Sequence, residues 1–211
     1  MRYSLVRGLL SMFAAAASLW LQPVLAATPT KPLTVDAAEL FDWVVRSRNN
    51  DGLPFMIIDK RQAHLWVFDR SGKPQGNAPV LLGVARGDHT APGVGDKKLS
   101  DIKFEERTTP AGRFIAEVGM NARGEDVVWV DYDAGVSMHR VLTTNPKEQR
   151  ARRLETPTPA DNRVSYGCIN VPKAFFESVV SGTVRGGNSV VYVLPESKPL
   201  RSVFNRVASP M

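Results

Sequence analysis

The chain has 211 residues, of which 43% are hydrophobic and 23% charged, with a formal net charge of +6 and one cysteine. This composition is that of a globular protein, and a single cysteine excludes an internal disulfide framework. The mild positive charge comes without a basic run interleaved with aromatic residues, so no nucleic-acid partner is expected.

The first residues have the pattern of a cleaved secretory signal. Two arginines precede an apolar run over residues 9–25 that ends in small residues, as in a signal peptide. Gln22 and Pro23 interrupt the run, so it does not make a clean membrane anchor of about 20 residues. We therefore expect residues 1–26 to be removed on export, with no stable membrane anchor afterwards, and the remaining 185 residues to form one domain.

A linker and one helix are predicted over residues 27–50. Thr34 is a suitable N-cap, and apolar residues recur on one face from Ala37 to Val45, which predicts a helix over 34–46. The segment 49–52, "NNDG", ends it.

Short β-type runs separated by turn residues follow over residues 51–197. The predicted strands are 55–58, 64–69, 79–84, 113–119, 127–132, 135–139 and 189–194. A short helix is predicted over 172–180, with Pro172 in its first turn and Gly182 at its end. The pattern predicts a mainly β fold, a β-sandwich or partly closed barrel with a few short helices, and a loosely held C-terminal tail over 198–211.

Two segments are too long and too polar for simple hairpins, and loops of this length are usually functional or disordered. The first, 86–109, contains "APGVG". The second, 143–162, carries the cations Lys147, Arg150, Arg152 and Arg153. It is either a lid or acceptor platform beside a site, or a solvated excursion.

Cys168 lies in "RVSYGCINVP" and has two interpretations. It is either a buried cysteine packed as a small hydrophobe or a nucleophile. The predicted helix at Pro172 would lower the pKa of a nearby thiol and help to hold an oxyanion, and Gly167 would let a substrate approach the backbone.

All three histidines precede Cys168. His139 ends the short apolar run in "GVSMHRVL" and is the best candidate for a general base. His64 opens a predicted strand, where a packed role is expected, while His89 lies in a glycine-rich loop and could help to bind substrate. Their spacing gives no support for a zinc site with Cys168.

The segment "SYGCIN" resembles the Ser/Thr-His-Gly-Cys-hydrophobic-Asn signature of the YkuD-type L,D-transpeptidases, and His139 matches the histidine upstream of that signature. The segments "PFMIIDKRQAHLWVFDRSGKPQGNAPVLLG" and "TTPAGRF" resemble other parts of the family, so the resemblance covers about residues 53–195. Two features depart from the pattern. Tyr166 replaces a second histidine, and 25 residues separate His139 from Ser165, more than in the family.

The resemblance implies a YkuD-like fold and a catalytic set of Cys168, His139, Gly167 and Arg140. Cys168 would form a thioester with a donor stem peptide of peptidoglycan, and His139, oriented by the backbone carbonyl of Arg140, would move the protons. The N–H groups of Gly167 and Cys168 would bind the oxyanion. No metal or other cofactor is implied.

Substrate contacts are expected from Ser165, Tyr166, Asn170, Met138 and His89. Tyr166 could instead be a half-buried aromatic, and Asn170 could instead cap the helix at Pro172.

The implied reaction transfers the donor to the diaminopimelate amine of an acceptor stem, making a 3-3 or a 1-3 cross-link in the periplasm, with a role in wall remodelling and cell shape. The two departures from the family pattern, at Tyr166 and in the spacing between His139 and Ser165, favour the branch of the family that joins L-alanine to diaminopimelate.

The alternatives are a carboxypeptidase or amidase of the same fold, which would hydrolyse stem peptides or protein–wall links, and a non-catalytic wall-binding protein. A sortase is disfavoured because its threonine-leucine-x-threonine-cysteine run is missing. Carbapenem-type β-lactams should acylate Cys168.

Overall fold

A computed structural model describes residues 31–205. The predicted signal peptide, most of the predicted linker and the last six residues lie outside the described residues. Every helix between residues 31 and 205 is too short or too polar to cross a lipid bilayer.

The described residues are mainly β, as predicted. The strands are β1 (Phe55–Asp59), β2 (His64–Phe68), β3 (Pro74–Pro79), β4 (Leu82–Gly83), β5 (Gly112–Met120), β6 (Asp126–Asp131), β7 (Val136–Arg140), β8 (Arg163–Ser165), β9 (Ile169–Val171) and β10 (Ser189–Leu194). The helices are α1 (Val35–Ser47), α2 (Arg150–Glu155), α3 (Lys173–Phe175), α4 (Ser181–Val184) and α5 (Leu200–Val203), with a π-helical turn (Phe176–Val180) joining α3 to α4.

Eight strands form one sheet in the order β3-β2-β1-β10-β5-β6-β7-β9, and β4 pairs with β8 in a second, two-stranded sheet. β1 runs parallel to β10 and β7 parallel to β9, while the other neighbours in the large sheet are antiparallel. The sheet curls back on itself, because Leu81, just after β3 at one end, exchanges two backbone hydrogen bonds of 2.9 Å with Asn170 of β9 at the other. This is the partly closed barrel that the sequence predicts.

Two apolar clusters stabilise the sheet, one on each face. Met56 and Ile58 point from β1 into the inner cluster, and Phe55 and Ile57 point into the outer cluster, which α1 covers. Because both faces are buried, the central strands read as continuous apolar runs rather than alternating ones.

The helix α1 follows its prediction closely. The Thr34 hydroxyl accepts a hydrogen bond from the Ala37 N–H at 3.3 Å, which satisfies one of the free donors of the first turn. Ala37, Leu40 and Val44 are fully buried against the sheet.

Some predicted elements are wrong. The strand expected over 79–84 is only partly present: β3 is the polar edge segment "PQGNAP", the apolar residues Val80 and Leu81 are buried in the connection that follows it, and only Leu82–Gly83 form the short strand β4. An apolar run marks burial, which an irregular segment can satisfy as well as a strand. The three-residue strands β8 and β9 were not predicted, because segments so short carry no periodic signal.

The C-terminal half of the helical region and the tail also differ from the prediction. Gly182 does not end the helix, which continues to Val184. Residues 198–205 are not loosely held, because Leu200 and Phe204 are buried in the outer cluster beside α1.

Candidate active site

Cys168 lies in the turn between β8 and β9, next to β7. Its thiol is half-buried, and its Sγ lies 3.6 Å from the carbonyl oxygen of Gly135 and 3.7 Å from the Ser137 hydroxyl, which donates to it. β7 and β9 run parallel with His139 opposite Asn170, which brings the histidine strand alongside the turn that carries the cysteine.

His139 connects Cys168 to the backbone. The imidazole lies near enough to the Cys168 thiol to lower the pKa of the thiol, and the Nδ1 atom of the ring lies 2.7 Å from the carbonyl oxygen of Arg140. A carbonyl accepts only, so Nδ1 carries the proton of the neutral ring and Nε2 is the nitrogen that can accept one. This is the contact that the family resemblance implies for Arg140.

The surroundings of Cys168 favour its thiolate. Burial raises the pKa of the thiol, but the hydrogen bond and charge of His139 and the hydrogen bonds from Ser137 outweigh burial, so the pKa is lowered from its ordinary value. The predicted helix terminus is not among these causes: β9 separates Cys168 from the helix, which begins only at Lys173, and a helix dipole acts within about one turn.

Strand alternation decides which neighbours of His139 face the site. Ser137 and His139 lie on the same face of β7, whereas Met138 points the other way and is fully buried in the inner cluster. The prediction that Met138 contacts substrate is therefore wrong. Ser137 was missed, although counting two residues back from His139 along the strand would have found it.

The turn itself is held by the Ser165 side chain. The Ser165 hydroxyl donates to the Cys168 carbonyl at 2.6 Å and accepts from the Gly167 N–H at 3.1 Å. The Gly167 N–H is thus already engaged, which corrects its expected role as an oxyanion donor. The Cys168 N–H makes no hydrogen bond to any other described residue. Ser165 is 2% exposed, so it shapes the turn and does not face a ligand.

Asn170 links the turn to the basic segment 143–162. It is fully buried; its amide donates to the Cys168 carbonyl at 3.3 Å and its Oδ1 accepts from Arg150 at 2.7 Å. No side chain caps the helix at Pro172, so the capping alternative is wrong. Asn170 holds the backbone of the site rather than meeting substrate directly in this structure.

The segment 143–162 is docked onto the domain and is not a solvated excursion. It contains α2, whose Leu154 is buried, and Arg153 donates to the carbonyls of Glu148 and Asp161 at 2.7 Å each. Lys147 and Arg152 remain exposed.

Of the two remaining predicted substrate contacts, Tyr166 lies in the turn that carries Cys168, whereas the His89 side chain contacts Lys198. Tyr166 follows Ser165 in the turn and is half-buried, with the Arg107 guanidinium 4.0 Å from its ring centroid. The exposed His89 ring accepts a hydrogen bond from Lys198 and makes no contact with Cys168 or His139. The structure does not bring its side chain to the candidate site.

The "TTPAGRF" segment packs behind the turn. The Thr109 hydroxyl donates to the Gly167 carbonyl at 2.8 Å and accepts from the Gly83 N–H at 2.9 Å. The Thr109 carbonyl accepts in turn from Lys60 at 2.8 Å.

Lys60 belongs to a buried ion cluster that supports this segment. It is fully buried and its ammonium bonds to Asp88 at 2.9 Å and to the Gly87 carbonyl at 2.5 Å. Arg163 and Glu196 pair beside them. Burial lowers the pKa of Lys60; burial also works against the Asp88 carboxylate, but its hydrogen bonds from Lys60 and Ser197 outweigh this and lower the pKa of Asp88.

A cleft of about 340 Å³ is lined by His139, with Asp126, Arg140, Lys173 and Glu177 among its other lining residues. It gives the imidazole access to solvent and to a second molecule. Within residues 31–205, no group of three or more His, Cys, Asp or Glu side chains is arranged to hold a metal ion.

No family model matches the sequence, and the search of the curated proteins gives no match. Three solved structures illustrate what the fold is similar to. The helical cell shape determining protein Pgp2 from Campylobacter jejuni is 17% identical, with a TM-score of 0.44, over 69% of this chain and 49% of that one. The catalytic domain of the Enterococcus faecium L,D-transpeptidase is 18% identical, with a TM-score of 0.36, over 67% of this chain and 96% of that one.

The third is the L,D-transpeptidase LdtMt1 in complex with imipenem, 17% identical with a TM-score of 0.36, over 67% of this chain and 58% of that one. The chain spans about half the length of Pgp2 (49%). These similarities concern the path of the chain, and the function proposed below rests on the side chains around Cys168.

Proposed function

We propose that this protein is a cysteine acyltransferase acting on peptidoglycan stem peptides, an L,D-transpeptidase of the periplasm. The observation that carries the proposal is the arrangement of Cys168, His139 and the Arg140 carbonyl. A cysteine packed only as a hydrophobe needs no imidazole on its sulfur. Here an imidazole lowers the pKa of the thiol and is itself oriented by a backbone carbonyl 2.7 Å away. These are the properties of an activated nucleophile.

In the first half-reaction, the Cys168 thiolate attacks a carbonyl carbon of the donor stem. The Cys168 N–H stabilises the negative charge that develops on the carbonyl oxygen. The carbon–nitrogen bond then breaks, and His139, having taken the thiol proton, delivers it to the leaving amine. The product is a thioester on Cys168.

In the second half-reaction, the acceptor's diaminopimelate amine attacks the thioester and gives up a proton to His139. The carbon–sulfur bond breaks, the amide cross-link forms and the thiolate returns. Water in place of the amine would make a hydrolase. The cleft that His139 helps to line supports transfer, because it offers space for a second substrate beside the base.

The choice of peptidoglycan as substrate has two supports. One is the resemblance of the motif around Cys168 to that of the L,D-transpeptidases, and the other is the secretory pattern of residues 1–26. The first half-reaction also applies to a carbapenem: the thiolate attacks the carbonyl of its strained ring, the ring carbon–nitrogen bond breaks, the nitrogen takes the proton and stays attached, and the thioester remains on Cys168. A complex of LdtMt1 with imipenem is known. We therefore include acylation of Cys168 by imipenem in the proposal.

The test is mass spectrometry of muropeptides after incubation of sacculi with the chain lacking residues 1–26, next to Cys168→Ala and His139→Ala. Thermal unfolding of each variant checks that it is folded. New dimers that require both residues are the expected result, and fragmentation distinguishes a 3-3 bond from a 1-3 bond that begins at L-alanine. Shortened monomers alone would replace the transpeptidase with a carboxypeptidase or amidase. Wall binding without any turnover would replace it with a binding protein.

A further inference from the structure

We propose that Thr109 is a positioning residue for acyl transfer: its hydroxyl holds the peptide group between Gly167 and Cys168 so that the Cys168 N–H is aimed at the oxyanion. This inference rests on the proposed function, since it concerns a carbonyl attacked by Cys168. Thr109 itself touches neither the thiol nor a substrate.

The Thr109 hydroxyl has a single possible direction. Thr109 is fully buried, and its Oγ1 accepts the Gly83 N–H at 2.9 Å. A hydroxyl has one proton to donate, and the Gly167 carbonyl, 2.8 Å away, is the acceptor that the structure provides for it. Thr109 therefore acts as a fixed donor to the turn of the nucleophile.

Holding this carbonyl also fixes an N–H. The Gly167 carbonyl and the Cys168 N–H belong to one planar trans peptide, in which they point in opposite directions. Anchoring the oxygen from behind thus sets the direction of the N–H in front. A hydrogen bond to the carbonyl also polarises the peptide and strengthens its N–H as a donor.

The Cys168 N–H is the donor of the turn that remains available. The Gly167 N–H is taken by the Ser165 hydroxyl at 3.1 Å, whereas the Cys168 N–H has no partner among residues 31–205. Stabilisation of the oxyanion by this turn therefore depends on one peptide group, and the Thr109 hydroxyl is the side-chain group bonded to the far end of that peptide.

Thr109 is in turn held on both sides. Its carbonyl accepts from the fully buried Lys60 at 2.8 Å, and Lys60 is fixed by Asp88 at 2.9 Å. A donor held this rigidly needs no reorganisation when charge develops on the substrate, which is what electrostatic stabilisation of a transition state requires.

Two reactions of Cys168 distinguish a role of Thr109 in stabilising the oxyanion from a role only in folding. Imipenem is attacked at a carbonyl, so its reaction passes through an oxyanion. Iodoacetamide is attacked at a saturated carbon with loss of iodide, so its reaction reports the thiolate alone. The ratio of the two rate constants therefore measures the oxyanion contribution in each variant.

We expect Thr109→Val, which removes the hydroxyl at similar size, to lower the acylation rate about tenfold or more while alkylation and its pH profile stay near those of the parent. Thr109→Ser, which keeps the hydroxyl, should restore most of the ratio. Thr108→Val is the matched control, because the neighbouring Thr108 hydroxyl donates to the His89 carbonyl at 2.7 Å and not to the turn. Its ratio should equal that of the parent. All rates are measured well below each variant's unfolding midpoint.

Equal losses of acylation and alkylation in Thr109→Val, or no loss in either, would overturn the inference and leave Thr109 a packing residue. If the parent is alkylated at Cys168 but not acylated by imipenem or by a stem peptide, the proposed function itself fails, and the inference fails with it.

Discussion

The carbonyl oxygen of Thr108 lies against Gly167 so closely that a Cβ on residue 167 would stand 2.8 Å from it. Gly167 also has a φ of +129°, a conformation that residues with side chains rarely adopt. The turn that presents Cys168 is thus packed directly on the "TTPAGRF" segment, and residue 167 is the point of contact.

Gly167→Ala should therefore be severely damaging. We expect a loss of about 2 kcal/mol or more in the free energy of unfolding, together with slower alkylation of Cys168, because the backbone must shift to admit the methyl group. Gly182→Ala is the matched control: an added Cβ there meets no atom within 4 Å. It lies inside a helix and should gain about 0.5–1 kcal/mol. Chemical denaturation of both variants would show equal effects if close packing at Gly167 were unimportant.

The lowered pKa of Cys168 predicts an alkylation profile shifted toward acid. The pKa of the thiol is lowered from an ordinary value of 9.0, so the half-maximal rate of the parent should fall below that pH. In His139→Ala the burial that raises the pKa is no longer opposed by the imidazole, and the midpoint should move upward. Ser137→Ala should move it upward by less. A midpoint that is the same in the parent and in His139→Ala would remove His139 as the activating group.

The buried pair of Lys60 and Asp88 should dominate the response to acid. Asp88 has a lowered pKa, so its contribution to stability is complete above the ordinary carboxyl value, near pH 4, and is lost as the pH falls toward the lowered value. Asp88→Asn removes the carboxylate that is hydrogen-bonded to the fully buried Lys60 and leaves it only the Glu196 carboxylate, 3.9 Å away, so it should cost about 3 kcal/mol at pH 7.

A double variant tests this pairing directly. Lys60→Met with Asp88→Asn removes both charges and should be more stable than Asp88→Asn alone. The acid-induced loss of stability in Asp88→Asn should also be shallower than in the parent. Additive losses in the double variant would contradict a coupled pair.

Arg150 and Arg152 allow a comparison within one helix. Arg150→Ala leaves the Oδ1 of the fully buried Asn170 without its donor and should cost about 1–3 kcal/mol in the free energy of unfolding. Arg152 is exposed and bonds only to Gln149, at 3.3 Å, so Arg152→Ala should change stability by about 0.5 kcal/mol or less. Proteolysis within residues 143–162 should increase in the first variant and not in the second. Equal behaviour would mean that the link to Asn170 does not hold the segment.

Local signals in the sequence predicted the parts of the fold that depend on local physics. The N-cap and apolar face of α1, the continuous apolar run of β1 and the mainly β class all follow from residue type and period. The polar edge strand β3 carries no such signal, since Ala78 is its only buried residue. The strands β8 and β9 have three residues each, which is too short for a periodic pattern to be recognised.

For the site, the motif around Cys168 and the position of His139 were readable, because each stands in a distinctive segment. The supporting residues were not. Thr109 and Gly167 are 58 residues apart in sequence and 2.8 Å apart in space, and Arg150 reaches Asn170 from a segment that looked like a solvated loop. These contacts join residues that are distant in sequence, so no local sequence pattern predicts them. Met138 was predicted to contact substrate because it precedes His139 in the sequence. Side chains alternate along β7, so Met138 points to the opposite face, into the inner cluster.

The parallel pairing of β1 with β10 has a consequence for how the molecule assembles. Phe55 pairs with Val190, 135 residues later, so the middle of the sheet has a high contact order and should form slowly. Until β10 is made, the apolar strands β1 and β5 lack the partner that lies between them and remain open to aggregation. Cys168, His139 and Arg140 all precede β10 in the sequence, so the nucleophile and its base are held in a complete sheet only after the strand between β1 and β5 has been added.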